Sequence, residues 1–169
     1  MPSTTCAPAG SSDAPFSSPN HVWRITMTTP NALVRATRQL TIDGARAIVR
    51  AAAGHAQSLS IPVTVAVTDA AGRLILLERL DDAPFASVQV AQDKAFSSAS
   101  TNTPTSAWYA IAQGDPEFGY GLKSIDRLTP LAGGVPVLSD GVVVGAIGVS
   151  GGSNTQDQAI AEAGVAALA

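Results

Sequence analysis

The chain has 169 residues, 46% of them hydrophobic and 14% charged, and its 10 Lys and Arg against 13 Asp and Glu leave a net charge of −3. That length and apolar content support one sizeable core and are short for two, while the charge offers no basic footprint for nucleic acid and no basic face for a membrane. The single Cys6 excludes an intramolecular disulfide framework, no Cys/His cluster has zinc spacing, and no apolar run reaches the roughly 18 residues of a membrane span.

Residues 1–38 are rich in Ser, Thr, Pro and Ala, a composition that cannot bury enough apolar surface to order itself. They are expected to be a poorly ordered tail, with Met27 an equally sensible start, and residues 39–169 to form the domain. Trp23 and Ile25 are the tail residues suited to dock on a neighbouring subunit, and His21 would need such docking to act as a ligand. The N-terminus lacks a charged segment followed by an apolar one, so the expected location is the cytoplasm. So few charges on a small domain point to a homo-oligomer.

Thr41 is a good N-cap for a helix running from Ile42 to about Leu59, with apolar residues at helical spacing. His55, the only histidine inside the domain, falls late in it. Val63–Thr68 and Leu74–Arg79 read as two strands joined by a short Gly-containing loop, an antiparallel hairpin. The second ends in Glu78, Arg79, Leu80, Asp81 and Asp82, the densest polar cluster in the chain. From Ala86 to Ser100 the pattern is helical again, with Val88, Val90, Ala91, Ala95 and Phe96 as the expected inward face and Asp93 and Lys94 at its middle. Thr101 to Asp126 reads as loop-rich with a piece of helix around Ser106–Gln113. Trp108, Tyr109, Phe118 and Tyr120 cluster there, marking this stretch as a lid or a ligand wall.

The last stretch organises the rest. Val135–Leu138 and Val142–Val149 flank an Asp140-Gly141 turn, among the strongest short-range hairpin signals. The second strand is uncharged along its length, which makes it a central strand covered on both faces. Ser150, Gly151 and Gly152 then lead to a helix with Asn154 as the expected N-cap and Asp157 in the capping-box place. The two glycines expose N–H groups beside a helix N-terminus, where an anion could sit or where the chain simply turns tightly. Consecutive hairpins with helices at the ends argue for an α+β sandwich built on an antiparallel sheet.

Two long motifs, RLDDAPFASVQVAQDKAFSSA and GGVPVLSDGVVVGAIGVSGGSNTQDQAIAEAG, resemble the GlcG/HbpS family. It is also called the haem-degrading domain family and includes the C-terminal domain of PduO-type proteins. The resemblance spans about Leu40 to Ala169. It implies a profilin-like or GAF-like fold, a five-stranded antiparallel sheet flanked by helices, assembly into dimers or larger rings, and haem as a ligand of several members. The matching positions are Arg79, Asp81, Ala83, Ser87, Ala91, Lys94 and Ala95 in the first motif. In the second they are Gly133, Gly134, Pro136, Gly145, Gly148, Ser150, Gly151, Gly152, Gln156 and Asp157.

Lys94 and Asp81 are the residues to test first for chemistry. A Lys on the inner side of a helix beside a carboxylate-rich strand end can be a structural ion pair, a substrate-carboxylate anchor, or an amine with a lowered pKa. Arg79 has the planar fork for a carboxylate ligand, or pairs with Asp81 or Asp82. Ser87 and Ser150 have no histidine placed to activate them, and nothing fixes Glu78, Asp81, Asp82 and Asp93 as a metal site. Ser87, Trp108, Tyr120, Gly133, Gly134, Ser150, Gly151 and Gly152 join Arg79 as candidate ligand-binding residues. Three functions remain open. One is a small-molecule-binding module for a planar anionic compound, haem included. Another is a cofactor-independent lyase, hydrolyase or isomerase acting on a small aromatic or hydroxy-acid substrate through Lys94 and Asp81. The third is a structural accessory protein.

Overall fold

The computed structural model describes residues 33, 36–122 and 124–168, of which Thr37 onward form one unit. In chain order the elements are α1 (Ile42–Ser58), β1 (Thr64–Asp69), β2 (Leu74–Arg79), α2 (Ser87–Thr101), α3 (Ser106–Gly114), α4 (Pro116–Leu122), β3 (Gly134–Ser139), β4 (Val142–Ser150) and α5 (Asn154–Ala166). Cys6, His21, Trp23, Ile25 and Met27 lie outside the described residues.

The strands form one antiparallel sheet in the order β2-β1-β4-β3. Period-2 alternation decides what each face holds. Val65, Val67, Ile147 and Val149 point to one side and build the main core with Ala45, Ile48, Val49 and Ala52 of α1 and Ile160 and Ala161 of α5. Ala66 points to the other side, against Ala91 and Ala95 of α2. The sheet is thus sandwiched between α1 with α5 and α2 alone. Each fully buried Val or Ile contributes roughly 1.5–3 kcal/mol. β4 is a central strand as expected, and its residues from Val144 to Ser150 are buried.

Local chemistry sets the ends of the elements. Thr41 Oγ1 accepts from Gly44 N–H at 3.1 Å and starts α1. Asp140 (φ 49°) and Gly141 (φ 76°) both take the left-handed conformation that a two-residue hairpin needs. β3 is an edge strand, and its outward-facing Gly134 is bonded to Thr105 while Pro136 offers no N–H there. Gly148 lets α2 lie directly on the sheet: a Cβ there would sit 2.0 Å from Ala91 O and 2.5 Å from Ala95 N. With no side chain between them, helix and strand backbones meet.

Four readings change. The described residues hold four strands, where five were expected: of residues 36–40, Leu40 gives β4 one backbone hydrogen bond, N–H to Val144 O at 3.0 Å, too little for a fifth strand. Residues 116–122, read as loop, form α4, because Pro116 suits a first helical turn and Asp115 Oδ1 caps Phe118 N–H at 3.0 Å. The N-cap of α5 is Ser153, one residue earlier than Asn154, and Gln156 completes the capping box. The buried face of α2 runs through Ser87, Ala91, Lys94, Ala95 and Ser98, leaving Val88, Val90 and Phe96 half-buried.

Candidate functional site

Lys94 shares the sheet-facing side of α2 with Ala91, Ala95 and Ser98, so its side chain is driven inward and is only 1% exposed. Nζ donates to Val149 O at 2.8 Å, where β4 ends, and to Asp157 Oδ2 at 2.7 Å, in the first turn of α5. Asp157 Oδ1 accepts from Gly152 N–H at 2.9 Å, so the same carboxylate fixes the loop between β4 and α5. Gly133 roofs the centre. Its φ of 116° is one that side chains avoid, and a Cβ would lie 3.1 Å from Nζ and 2.9 Å from Asp157 Cβ. Gly133 N–H donates to Gln158 Oε1 at 3.0 Å and its carbonyl accepts from Val149 N–H at 2.9 Å. Burial pushes the Lys94 pKa below 10.5, while the hydrogen bond and charge of Asp157 pull the other way.

This centre gathers Lys94, Gly133 and Gly152 of the expected site, with Gly134 packed against Lys94 O and Ser150 next in sequence to Val149. It does not gather Asp81. The ion-pair partner of Lys94 is Asp157, because the Glu78–Asp82 cluster leads directly into the start of α2 at Ser87. Seven residues of helix then carry Lys94 about 10 Å further along the axis. Asp157 was legible as a capping residue and as a position of the second motif but not as the partner of Lys94, and Gln158 carried no signal. A buried Lys does demand a carboxylate, and that demand was the available clue.

Gly151 (φ 150°) packs its backbone against Pro62 O, and the other candidates fall in two other places. Arg79 donates through Nε (2.8 Å) and Nη2 to Ala83 O, closing the turn in which Asp82 has φ 65°, and the fork thus holds backbone. Ser87 Oγ is 2.6 Å from Thr64 Oγ1 and donates to Pro84 O beneath that turn. Asp81 and Asp82 are exposed and line a cavity of about 390 Å³ with Gln57, Ile61, Pro62 and Leu80. In the aromatic stretch, Trp108 is buried with its ring 5.6 Å from that of Phe118, whereas Tyr109 and Tyr120 are exposed. A cavity of about 530 Å³ lies elsewhere, between Leu40 and Gly44 and the β3–β4 turn, lined by Val137, Leu138, Val144 and Leu168.

Among the described residues no group of three or more His, Cys, Asp or Glu could hold a metal ion, and no helix is long and apolar enough to cross a membrane. His55 is the one histidine described; it sits half-buried in the last turn of α1.

An antiparallel α+β sandwich with a buried Lys–Asp pair locking its central helix to the sheet defines the class. The family model described as "Haem degrading protein HbpS-like" matches residues 40–166, and the chain belongs to that family. It is 36% identical over 107 residues to the protein GlcG of Escherichia coli K12, covering 63% of this chain and 77% of that one. A double mutant of Streptomyces reticuli HbpS superposes with a TM-score of 0.76 at 34% identity, over 85% of this chain and 97% of that chain. The PduO C-terminal domain in complex with haem gives 0.71 at 31% identity, over 76% and 94%.

Proposed function

We propose that this protein binds a planar anionic small molecule, with haem the first candidate, on a profilin-like or GAF-like version of its α+β fold. The observation that carries the reading is the likeness to the PduO C-terminal domain, whose structure holds haem, at 31% identity and a TM-score of 0.71. His55 supports it as the imidazole that would supply an axial nitrogen, and a bound haem would bring an iron centre for ligand or redox chemistry. The geometry favours this reading over the lyase, hydrolyase or isomerase one. The Lys94 ammonium is buried and paired, and Asp81 belongs to a different part of the molecule. Low charge content and the exposed Tyr109, Ile111 and Tyr120 support a homo-oligomer, a dimer or a larger ring, and a cytoplasmic location is part of the same proposal.

The test is a haemin titration of the purified protein, followed by absorbance, on wild type and on His55→Ala. The expected result is a saturable Soret shift with a stoichiometry near one haem per chain, and at least about tenfold weaker binding in the variant once the axial bond is lost. No saturable shift in the wild type would remove haem from the proposal. A shift unchanged in His55→Ala would remove His55 as ligand.

A further inference from the structure

The two edges of the sheet are built differently. Along β3 the outward positions are closed, Gly134 by its bonds to Thr105 and Pro136 by having no N–H to offer. β2 is the opposite edge, and its sequence LILLER holds no Pro and no Lys. Pairing with β1 fixes which of its groups face out. Leu80 N–H donates to Val63 O at 3.0 Å, and the pairs of Val65 with Glu78 and Val67 with Leu76 continue that hydrogen-bonded series. Leu77 and Arg79 lie between those positions, so their backbone N–H and C=O groups point away from β1. Among the described residues nothing bonds to them there. Leu74 is 49% exposed, and Ile75, Leu76 and Leu77 are only half-buried, an apolar quartet that one chain does not cover. Charge is divided between the strand's ends. Arg73 precedes it, Glu78, Asp81 and Asp82 lie at its end and just beyond, and all four are exposed with no side-chain partner among the described residues.

We infer that β2 is an interface between two copies of this chain, pairing antiparallel with itself about a twofold axis at Leu77 so that two four-stranded sheets become continuous. Antiparallel self-pairing sets the positive end of each strand against the negative end of the other. The charges also choose the register. An axis at Leu76 would oppose Arg73 to Arg79 of the partner subunit, and an axis at Glu78 would oppose that carboxylate to its own copy, like charges in both cases. An axis at Leu77 opposes Arg73 to Asp81 of the partner subunit and makes the two outward-facing Leu77 backbones a hydrogen-bonded pair. The Leu77 side chain, on the α2 face with Ala66, then meets its own copy across the axis. This interface rests on the homo-oligomer reading and on no particular ligand.

Sedimentation velocity of the full chain over a range of concentrations tests it. Wild type is expected to sediment as a dimer or an even multiple of one. Leu77→Pro removes an N–H that points away from β1 and is expected to raise the dissociation constant at least about a hundredfold. Arg73→Glu is expected to raise it about tenfold by placing like charges at both ends of the paired strands, and adding Asp81→Arg should bring it back. Circular dichroism identifies a variant that fails to fold; should Leu77→Pro do so, the exposed charge pair decides. A wild type that is monomeric at about 100 μM, or that forms an odd-numbered assembly, would overturn the proposal. An Arg73→Glu defect that Asp81→Arg leaves in place would overturn the axis at Leu77. An assembly that no β2 variant weakens would overturn the interface, and if it falls apart in Tyr120→Ser instead, the homo-oligomer reading survives without it.

Discussion

Replacing Asp157 by Asn tests the reading of the buried centre most directly. The side chains of Lys94 and Asp157 are 2% and 3% exposed, so solvent cannot take over for a lost partner. Asn keeps an acceptor for Gly152 N–H but then turns an NH₂ group toward the ammonium, leaving Lys94 with Val149 O alone. Breaking a buried pair by removing one partner costs about 3–5 kcal/mol, a large part of the roughly 5–15 kcal/mol that stabilises a domain. Lys94→Met, which leaves the carboxylate unpaired, should cost a similar amount. The double variant should lose far less than the sum, since neither charge is then stranded. Urea denaturation at pH 7 followed by circular dichroism reads all three; a loss below about 1 kcal/mol for Asp157→Asn, or singles that simply add, would refute the reasoning. The pH dependence has a definite sign. Burial holds the folded-state pKa of Lys94 below its unfolded 10.5. Between those two values the unfolded chain binds more protons than the folded one, so this group's contribution to stability rises with pH. Wild type should therefore gain on Lys94→Met as pH climbs toward 10.5, and a decline would contradict the assignment.

Two further substitutions test the packing account. Gly148→Ala puts a methyl group 2.0 Å from Ala91 O, and overpacking against backbone should cost at least about 1–3 kcal/mol or abolish soluble folded protein. Gly54→Ala, in the interior of α1 with nothing within 4 Å of its Cβ, should instead raise the melting temperature by about 2–4 °C, as a gain of up to about 1 kcal/mol implies. A matched response of the two in thermal denaturation would sink the close-approach argument. Ser153→Ala removes the cap that accepts Gln156 N–H and should cost about 1 kcal/mol by urea midpoint, whereas Asn154→Ala, lacking that role, should cost little.

The strands and the long helices were legible because each rests on a local period or a local turn: Val63–Thr68 is β-branched, Asp140-Gly141 is a hairpin turn, and Thr41 is a cap. α4 was not, since Gly119 and Gly121 weaken a seven-residue helix that stands by packing on α3. The shift of the α5 cap from Asn154 to Ser153 has a simple origin. Adjacent residues are both good caps, and reading Asp157 as a capping-box residue required the later one, whereas Asp157 faces inward to Lys94. Lys94 itself stood out as a charge on an inward helix face, but its partner is 63 residues away. Only the three-residue connection after β4 brings the first turn of α5 under the end of that strand, and no local pattern in the chain announces that placement.

The residues that carry the family likeness turn out to be those that seat helices on the sheet. Gly148 admits the backbone of α2, Gly133 roofs the ammonium, Lys94 and Asp157 tie α2 to β4 and α5, and Arg79 closes the turn that launches α2. A match built on such residues specifies a frame. On the proposed function, ligand choice would rest with surfaces outside the motifs: the end of α1 that carries His55 and the exposed aromatic face of α3 and α4. Substitutions in the frame should therefore change stability first and binding only through it. Substitution at His55 should change binding at constant stability, and that contrast separates the structural residues from the functional ones by experiment.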